Sequence, residues 1–178
     1  MLFEETKLKG VYKITNENFR DNRGTLTKPF TESAFREHGL TTKFDESFFS
    51  ISGKNVIRGM HLQVSPTACS KLIYIAHGSV LDVVVDLRKK STTYGEFISL
   101  EMSQNNHTAI FVPEGCAHGF LSLEDNTCTV YMQSHMRDPK AEAGVHYDSF
   151  GMDWSIAEPI LSERDKSLPQ LKDYDFEN

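Results

Sequence analysis

Apolar and polar positions alternate in short runs along most of this chain, and breaks rich in Gly, Asn and Asp part the runs. Val11-Tyr12-Lys13-Ile14 is the first strand candidate. Asp21-Asn22-Arg23-Gly24 reads as a turn, from which Thr25 to Phe30 leaves as a strand. The run from Thr31 to Gly39 changes period and predicts a short helix, with Thr31 as N-cap and Gly39 as its stop. From there the period is that of strands. Ser47 to Ser52, Val56 to Leu62, Lys71 to Ala76, Ser79 to Leu87, Glu96 to Met102, Thr108 to Val112, Gly119 to Leu123 and Thr127 to Ser134 are the candidates. Short strands with little helix between them predict a sandwich or barrel. After Pro139 the pattern loosens. Tyr147 to Trp154 predicts a structured loop around a buried aromatic, and Leu161 to Leu171 a short helical turn that packs back on the strands.

One strand breaks the apolar rule. In Ile57-Arg58-Gly59-Met60-His61-Leu62-Gln63, strict alternation puts Ile57, Gly59, His61 and Gln63 on one face and Arg58, Met60 and Leu62 on the other. An ionisable ring facing a barrel interior is costly unless the interior is a site. A second such place is Pro113-Glu114-Gly115-Cys116-Ala117-His118, where a turn delivers a His to the next strand.

Composition narrows the classes. The chain of 178 residues is 39% hydrophobic and 25% charged, ordinary values for one globular domain, here taken as 1–178. A net charge of -6 without a basic stripe argues against nucleic acid as partner. No apolar run approaches the ~20 residues of a membrane span. Met1-Leu2-Phe3-Glu4-Glu5 is acidic and lacks a signal-peptide core, so a cytoplasmic location is expected. Cys69, Cys116 and Cys128 are scattered, without the spacing of a zinc site or a disulfide scaffold.

The motifs carry a resemblance. Pro-x-Gly-x-x-His at Pro113 to His118 resembles the second signature of the cupin superfamily. Arg58 to Gln63, Lys71-Leu72, Asp82 to Arg88, Ser91 to Gly95, Pro113 to Phe120 and Leu161 to Asp165 resemble the dTDP-4-dehydrorhamnose 3,5-epimerase family of that superfamily, in its order and over nearly the whole chain. The resemblance implies an all-β cupin jelly-roll barrel (a double-stranded β-helix) with short peripheral helices, and a homodimer. It implies a substrate that is a nucleotide-diphosphate 4-keto-6-deoxy sugar, inverted at C3, C5 or both, with no metal and no cofactor. Such chemistry needs a base, a stabiliser of the enolate oxygen and an acid on the opposite face. By resemblance His61 is the base, Asp165 its partner, Lys71 the oxyanion stabiliser and Tyr131 the acid. Arg58 and Arg23 match the cations of the diphosphate, and Gln63, Asp82 and His118 further polar positions of the pocket.

Three positions depart from the family pattern. Arg137 stands where a second Tyr is usual, Phe48 where an amide is usual, and Lys28 where a Glu is usual near the base. These leave open which carbon is inverted and whether the nucleotide is another, CDP- or GDP-linked. A metal-dependent cupin is disfavoured because His61-Leu62-Gln63 breaks the usual His pair. A non-catalytic sugar-nucleotide binding module is disfavoured by the intact His61, Lys71 and Tyr131.

Overall fold

The hydrophobic runs fold into two facing sheets in a computed structural model that describes residues 1–175. In chain order the elements are β1 (Leu2–Glu5), β2 (Tyr12–Thr15), β3 (Glu17–Asp21), β4 (Gly24–Lys28), α1 (Glu32–Glu37), β5 (Glu46–Ser52), β6 (Ile57–Gln63) and β7 (Lys71–His77). There follow β8 (Ser79–Asp86), β9 (Phe97–Ser103), β10 (Thr108–Val112), β11 (Cys116–Ser122), β12 (Thr127–Gln133), β13 (Glu142–Gly144) and α2 (Glu163–Lys166). One sheet has the order β1-β2-β10-β7-β12-β5, the other β13-β6-β11-β8-β9. Consecutive strands such as β6 and β7 lie in different sheets, the crossing pattern of a jelly roll. The β3–β4 hairpin stands apart as a two-stranded sheet.

Alternation within the strands divides the apolar residues into three layers. Between the sheets lie Leu8, Val11, Ile73, Ile75, Val80, Val84, Met102, Ile110, Val112 and Phe120. The outer face of the first sheet is covered by α1 and its flanks, where Phe35 packs with Ile14, Leu72, Ala109 and Phe111. On the outer face of the second sheet, Val83, Val85, Leu121 and Met60 pack beneath Phe150, Trp154 and Tyr174. The loosely patterned stretch after Pro139 is therefore the cover of a sheet. Trp154 is its buried aromatic, and its indole N–H donates to the Tyr147 carbonyl at 2.9 Å.

Elements that sequence reasoning missed are the short ones. β1, β3 and β13 have few residues and no apolar alternation of their own; tertiary pairing makes them strands. Thr31 stands at the N-cap of α1, but its side chain makes no capping bond. Among the described residues no helix is long and apolar enough to cross a membrane.

Strand β6 departs from strict alternation. His61 faces His118 across the β6–β11 ladder while Arg58 faces Phe120. Three steps on β6 thus span two on β11, which is a β-bulge with one extra residue on β6. The extra residue flips parity, so Arg58 and His61 look into the same cavity, and Ile57, Met60 and Leu62 share the outer apolar layer. This corrects the expectation that Arg58 and His61 point apart and that Ile57 shares the face of His61. The bulge needs close backbone approach: Gly59 has φ +133°, and a Cβ there would lie 2.5 Å from the Gly119 Cα.

Candidate active site

The two sheets hold between them a cavity of about 380 Å³, open to the surface. From one sheet it receives Arg58, His61 and Gln63 of β6 and His118 of β11; from the other, Lys71 of β7, Tyr131 and Gln133 of β12, and Phe48 and Ser50 of β5. Arg137, Glu142, Arg164 and Asp165 line it from the segments beyond β12.

His61 and Asp165 form a pair, with Nε2 2.7 Å from Oδ1. The side chain of His61 is about a quarter exposed and that of Asp165 is buried. Ser162 caps α2 by accepting the Asp165 N–H at 3.1 Å, which leaves the Asp165 carboxylate to β6. The second oxygen of Asp165 accepts the Gly59 N–H at 3.3 Å. Burial disfavours the carboxylate charge, but the bonds from His61, Gly59 and Ser162 outweigh it and hold the Asp165 pKa below its ordinary 3.8. An ionised Asp165 accepts the Nε2–H, so the lone pair of His61 resides on Nδ1. Burial lowers the pKa of His61 below 6.5, opposed by Asp165 and reinforced by the Lys71 and Arg164 charges. The lowered pKa favours the neutral imidazole, whose Nδ1 lone pair can accept a proton.

Lys71 is buried, and its Nζ donates to the His61 carbonyl at 3.2 Å. Desolvation lowers its pKa from 10.5, which makes its ammonium a poorly solvated and strongly polarising group. Tyr131 sits across the barrel from His61, its phenol pushed up by burial. Phe48, directly opposite it on β5, stacks on its ring with centroids 4.7 Å apart and planes at 17°, and His118 meets it edge-on at 6.1 Å.

His118 lines the cavity and forms a second pair, its Nε2 2.7 Å from Asp82 Oδ2. Asp82 lies behind His118, fully buried, and does not itself line the cavity. Burial pushes its pKa up; its Oδ1 has no hydrogen-bond partner among the described residues, which adds to the cost of a charge there. Gln63 lines the cavity, but its amide is committed elsewhere. It donates to the carbonyls of Thr67 and Met136 and accepts the Asp138 N–H. Arg23 and Lys28 lie outside this cavity, on the exposed β3–β4 hairpin, paired with Asp21 and Glu17. Burial pushes the Cys116 thiol up to about 12, in keeping with a packing role.

Arg164, Glu142 and Gln133 reach the cavity without having been singled out in the sequence. Only the adjacency of Arg164 to Asp165 could have signalled one of them.

A model of the dTDP-4-dehydrorhamnose 3,5-epimerase family matches residues 5–173. The chain belongs to this family. A family relative in Methanothermobacter thermautotrophicus, a dTDP-4-dehydrorhamnose 3,5-epimerase, is 36% identical, with 96% of this chain and 95% of the relative covered. Among solved structures, the Legionella pneumophila epimerase in complex with dTDP-4-keto-L-rhamnose is similar at TM-score 0.92 and 30% identity, with 98% of this chain and 94% of that one covered. A 3'-monoepimerase from Streptomyces bikiniensis in complex with dTDP-quinovose is similar at 0.88 and 29%, with 94% and 86% covered. The cupin-like jelly roll expected from the motifs is the fold of the family.

Proposed function

We propose that this chain is an epimerase of a nucleotide-diphosphate 4-keto-6-deoxy sugar, and that it works by acid–base chemistry beside the 4-ketone. One observation carries the proposal: a carboxylate-paired imidazole and a buried phenol stand on opposite sheets and line one cavity, which the Lys71 ammonium also lines. A carbon next to a ketone loses its proton as the electron pair moves onto the oxygen. Nδ1 of His61 takes that proton, and Asp165 stabilises the imidazolium that results. Lys71 faces the enolate oxygen, where a desolvated cation acts more strongly than in water. Tyr131 returns a proton to the other face of the carbon, which inverts it. His118, carrying Asp82, contributes a polar wall beside Tyr131. Removal and return from opposite walls demand no metal and no redox cofactor.

The similarity to relatives of both kinds, a 3,5-epimerase and a 3'-monoepimerase, supports the reaction class for this chain and leaves the number of inverted carbons to experiment. The same relatives are complexed with dTDP sugars, which supports a nucleotide-linked substrate. The chain works as one cupin-type domain in the cytoplasm and as a homodimer. For the dimer the support is apolar surface: Phe49 and Ile51 on the edge strand β5 are 64% and 60% exposed, and the paired Phe19 and Leu26 of the hairpin 54% and 60%. With Arg23 and Lys28 on that hairpin, any contact they make with substrate belongs to the cavity of a second copy.

Incubation in deuterated water with a panel of 4-keto-6-deoxy nucleotide sugars tests the proposal, with NMR locating the deuterium. The wild type is expected to incorporate deuterium at C3, C5 or both and to invert what it labels. His61→Asn should lose exchange by about 10²-fold or more. Tyr131→Phe should keep exchange but lose inversion. A wild type that labels no sugar in the panel sinks the enzymatic reading and favours a binding module.

A further inference from the structure

The inner row of the β5–β12 ladder pairs Phe48 with Tyr131, Ser50 with Thr129 and Ser52 with Thr127. Two-residue alternation turns these side chains toward the barrel interior, where Phe48, Ser50 and Tyr131 line the cavity and Thr129, Thr127 and Ser52 are buried. Four hydroxyls thus follow the proposed acid along one row. The pair farther from Tyr131 is spent. Ser52 Oγ accepts the Arg58 Nε–H at 3.0 Å, and Thr127 donates to the Glu124 carbonyl at 3.0 Å. The pair next to Tyr131 is not spent. Ser50 Oγ and Thr129 Oγ1 are shut off from solvent and have no hydrogen-bond partner among the described residues.

Stability does not account for the unspent pair. A buried hydroxyl without a partner is destabilising, and Val in place of Thr129 would fill the same space and suit a strand as well. The chemistry of Tyr131 does account for it. An acid that gives up its proton inside a barrel leaves a phenolate there. Burial acts most strongly against that charge, the Ser50 hydroxyl favours it, the Asp82 carboxylate opposes it and the Arg58 guanidinium favours it. Cross-strand partners hold their Cβ atoms about 5 Å apart, so the Thr129 hydroxyl can turn to Ser50 Oγ while Ser50 turns to the phenolate. Both donors are idle beside the neutral phenol and come into use as the charge forms. Interactions of that kind stabilise the transition state without tightening the ground state.

We infer that Ser50 and Thr129 are positioning residues for Tyr131, a chain of two hydroxyls in which Thr129 donates to Ser50 and Ser50 donates to the phenolate that proton delivery leaves behind. The inference rests on the epimerase reading of the cavity and deepens it. In the step concerned, the enolate carbon forms a bond to the phenol proton, the carbonyl is restored, and the O–H electron pair stays on the tyrosine oxygen. Water returns the proton once the product has left, and neither Ser50 nor Thr129 loses its own. The two hydroxyls therefore serve inversion, and abstraction by His61 on the other sheet does not depend on them.

Deuterium exchange and inversion, measured on the same 4-keto-6-deoxy nucleotide sugar, test this. Thr129→Val keeps the volume and removes one hydroxyl. It is expected to slow inversion several-fold, with exchange and KM near wild type and a melting temperature equal or higher. Ser50→Ala should slow inversion roughly tenfold or more, the size of a hydrogen bond to a charged group, and should again spare exchange. Thr129→Ser keeps the hydroxyl and should keep inversion. Wild-type inversion in Thr129→Val overturns the inference, and so does a Ser50→Ala variant in which exchange and inversion fall together. A wild type that labels no sugar ends the epimerase reading and this inference with it. A wild type that inverts its sugar, beside variants that do so equally well, ends the inference alone.

Discussion

His61 illustrates how much chemistry one residue owes to its surroundings. Its burial and the charges of Lys71 and Arg164 push the imidazole toward the neutral form, and Asp165 pushes back. The acid limb of kcat/KM should therefore have its midpoint below 6.5. Asp165→Asn removes the group that raises the pKa, so that limb should move to lower pH, while the plateau falls about 10²-fold as the tautomer is no longer fixed. A pH profile of both enzymes checks this; a limb that moves to higher pH would contradict the pairing. The stability sign follows from the same shift. The unfolded chain takes up a proton at His61 before the native one does, so native stability falls as pH drops from 6.5 to the lower native pKa, and this contribution is flat beyond it. That His61, Lys71, Tyr131 and Asp165 meet around one cavity was legible in the sequence because their order matches that of a family's motifs. Arg164 and Glu142 were not, because exposed charges on loops carry no periodicity that separates a site from a solvated surface.

At the scale of elements, most strands could be read from the sequence because their apolar residues alternate against a common interior. The bulge in β6 could not, since nothing in Arg58-Gly59-Met60-His61 names the extra residue except the glycine. What makes it possible is backbone proximity on both sides of the strand. A Cβ on Gly144 of β13 would lie 2.0 Å from the Met60 carbonyl oxygen. Gly144→Ala should thus push β13 off β6 and cost about 3 kcal/mol, or roughly 10 °C of melting temperature. Calorimetry reads the loss directly; a variant as stable as wild type would show that β13 does not brace the bulge. Because Gly144 pairs with His61 itself, the surviving activity of this variant should fall more than its stability at the assay temperature explains.

For the whole molecule the open question is what covers the exposed apolar surface. The β3–β4 hairpin has every residue exposed, and a lone two-stranded sheet is marginal in water. Phe49 and Ile51 form a second apolar stretch on an edge strand. A second copy of the chain covers both in the proposed homodimer. Light scattering after size exclusion should give a dimer for the wild type and a monomer for the double variant Phe49→Glu, Ile51→Glu; a monomeric wild type would end the proposal. The sequence carried the dimer only through resemblance, because the pattern that marks an outward Phe as an interface is the same one that marks it as the inner face of a strand.

The pairing of His61 with Asp165 also has a consequence in time. The two lie 104 residues apart, and every strand of both sheets is synthesised before α2. A nascent chain can align its strands and form a cavity with Lys71 and Tyr131 in place while the imidazole still lacks its carboxylate. The proposed catalytic base matures last, once the cover of Phe150 and Trp154 has settled on the outer sheet and brought α2 against β6. Immature molecules of this kind would hold a sugar nucleotide without turning it over, so the delay between compaction and activity measures the docking of one short helix.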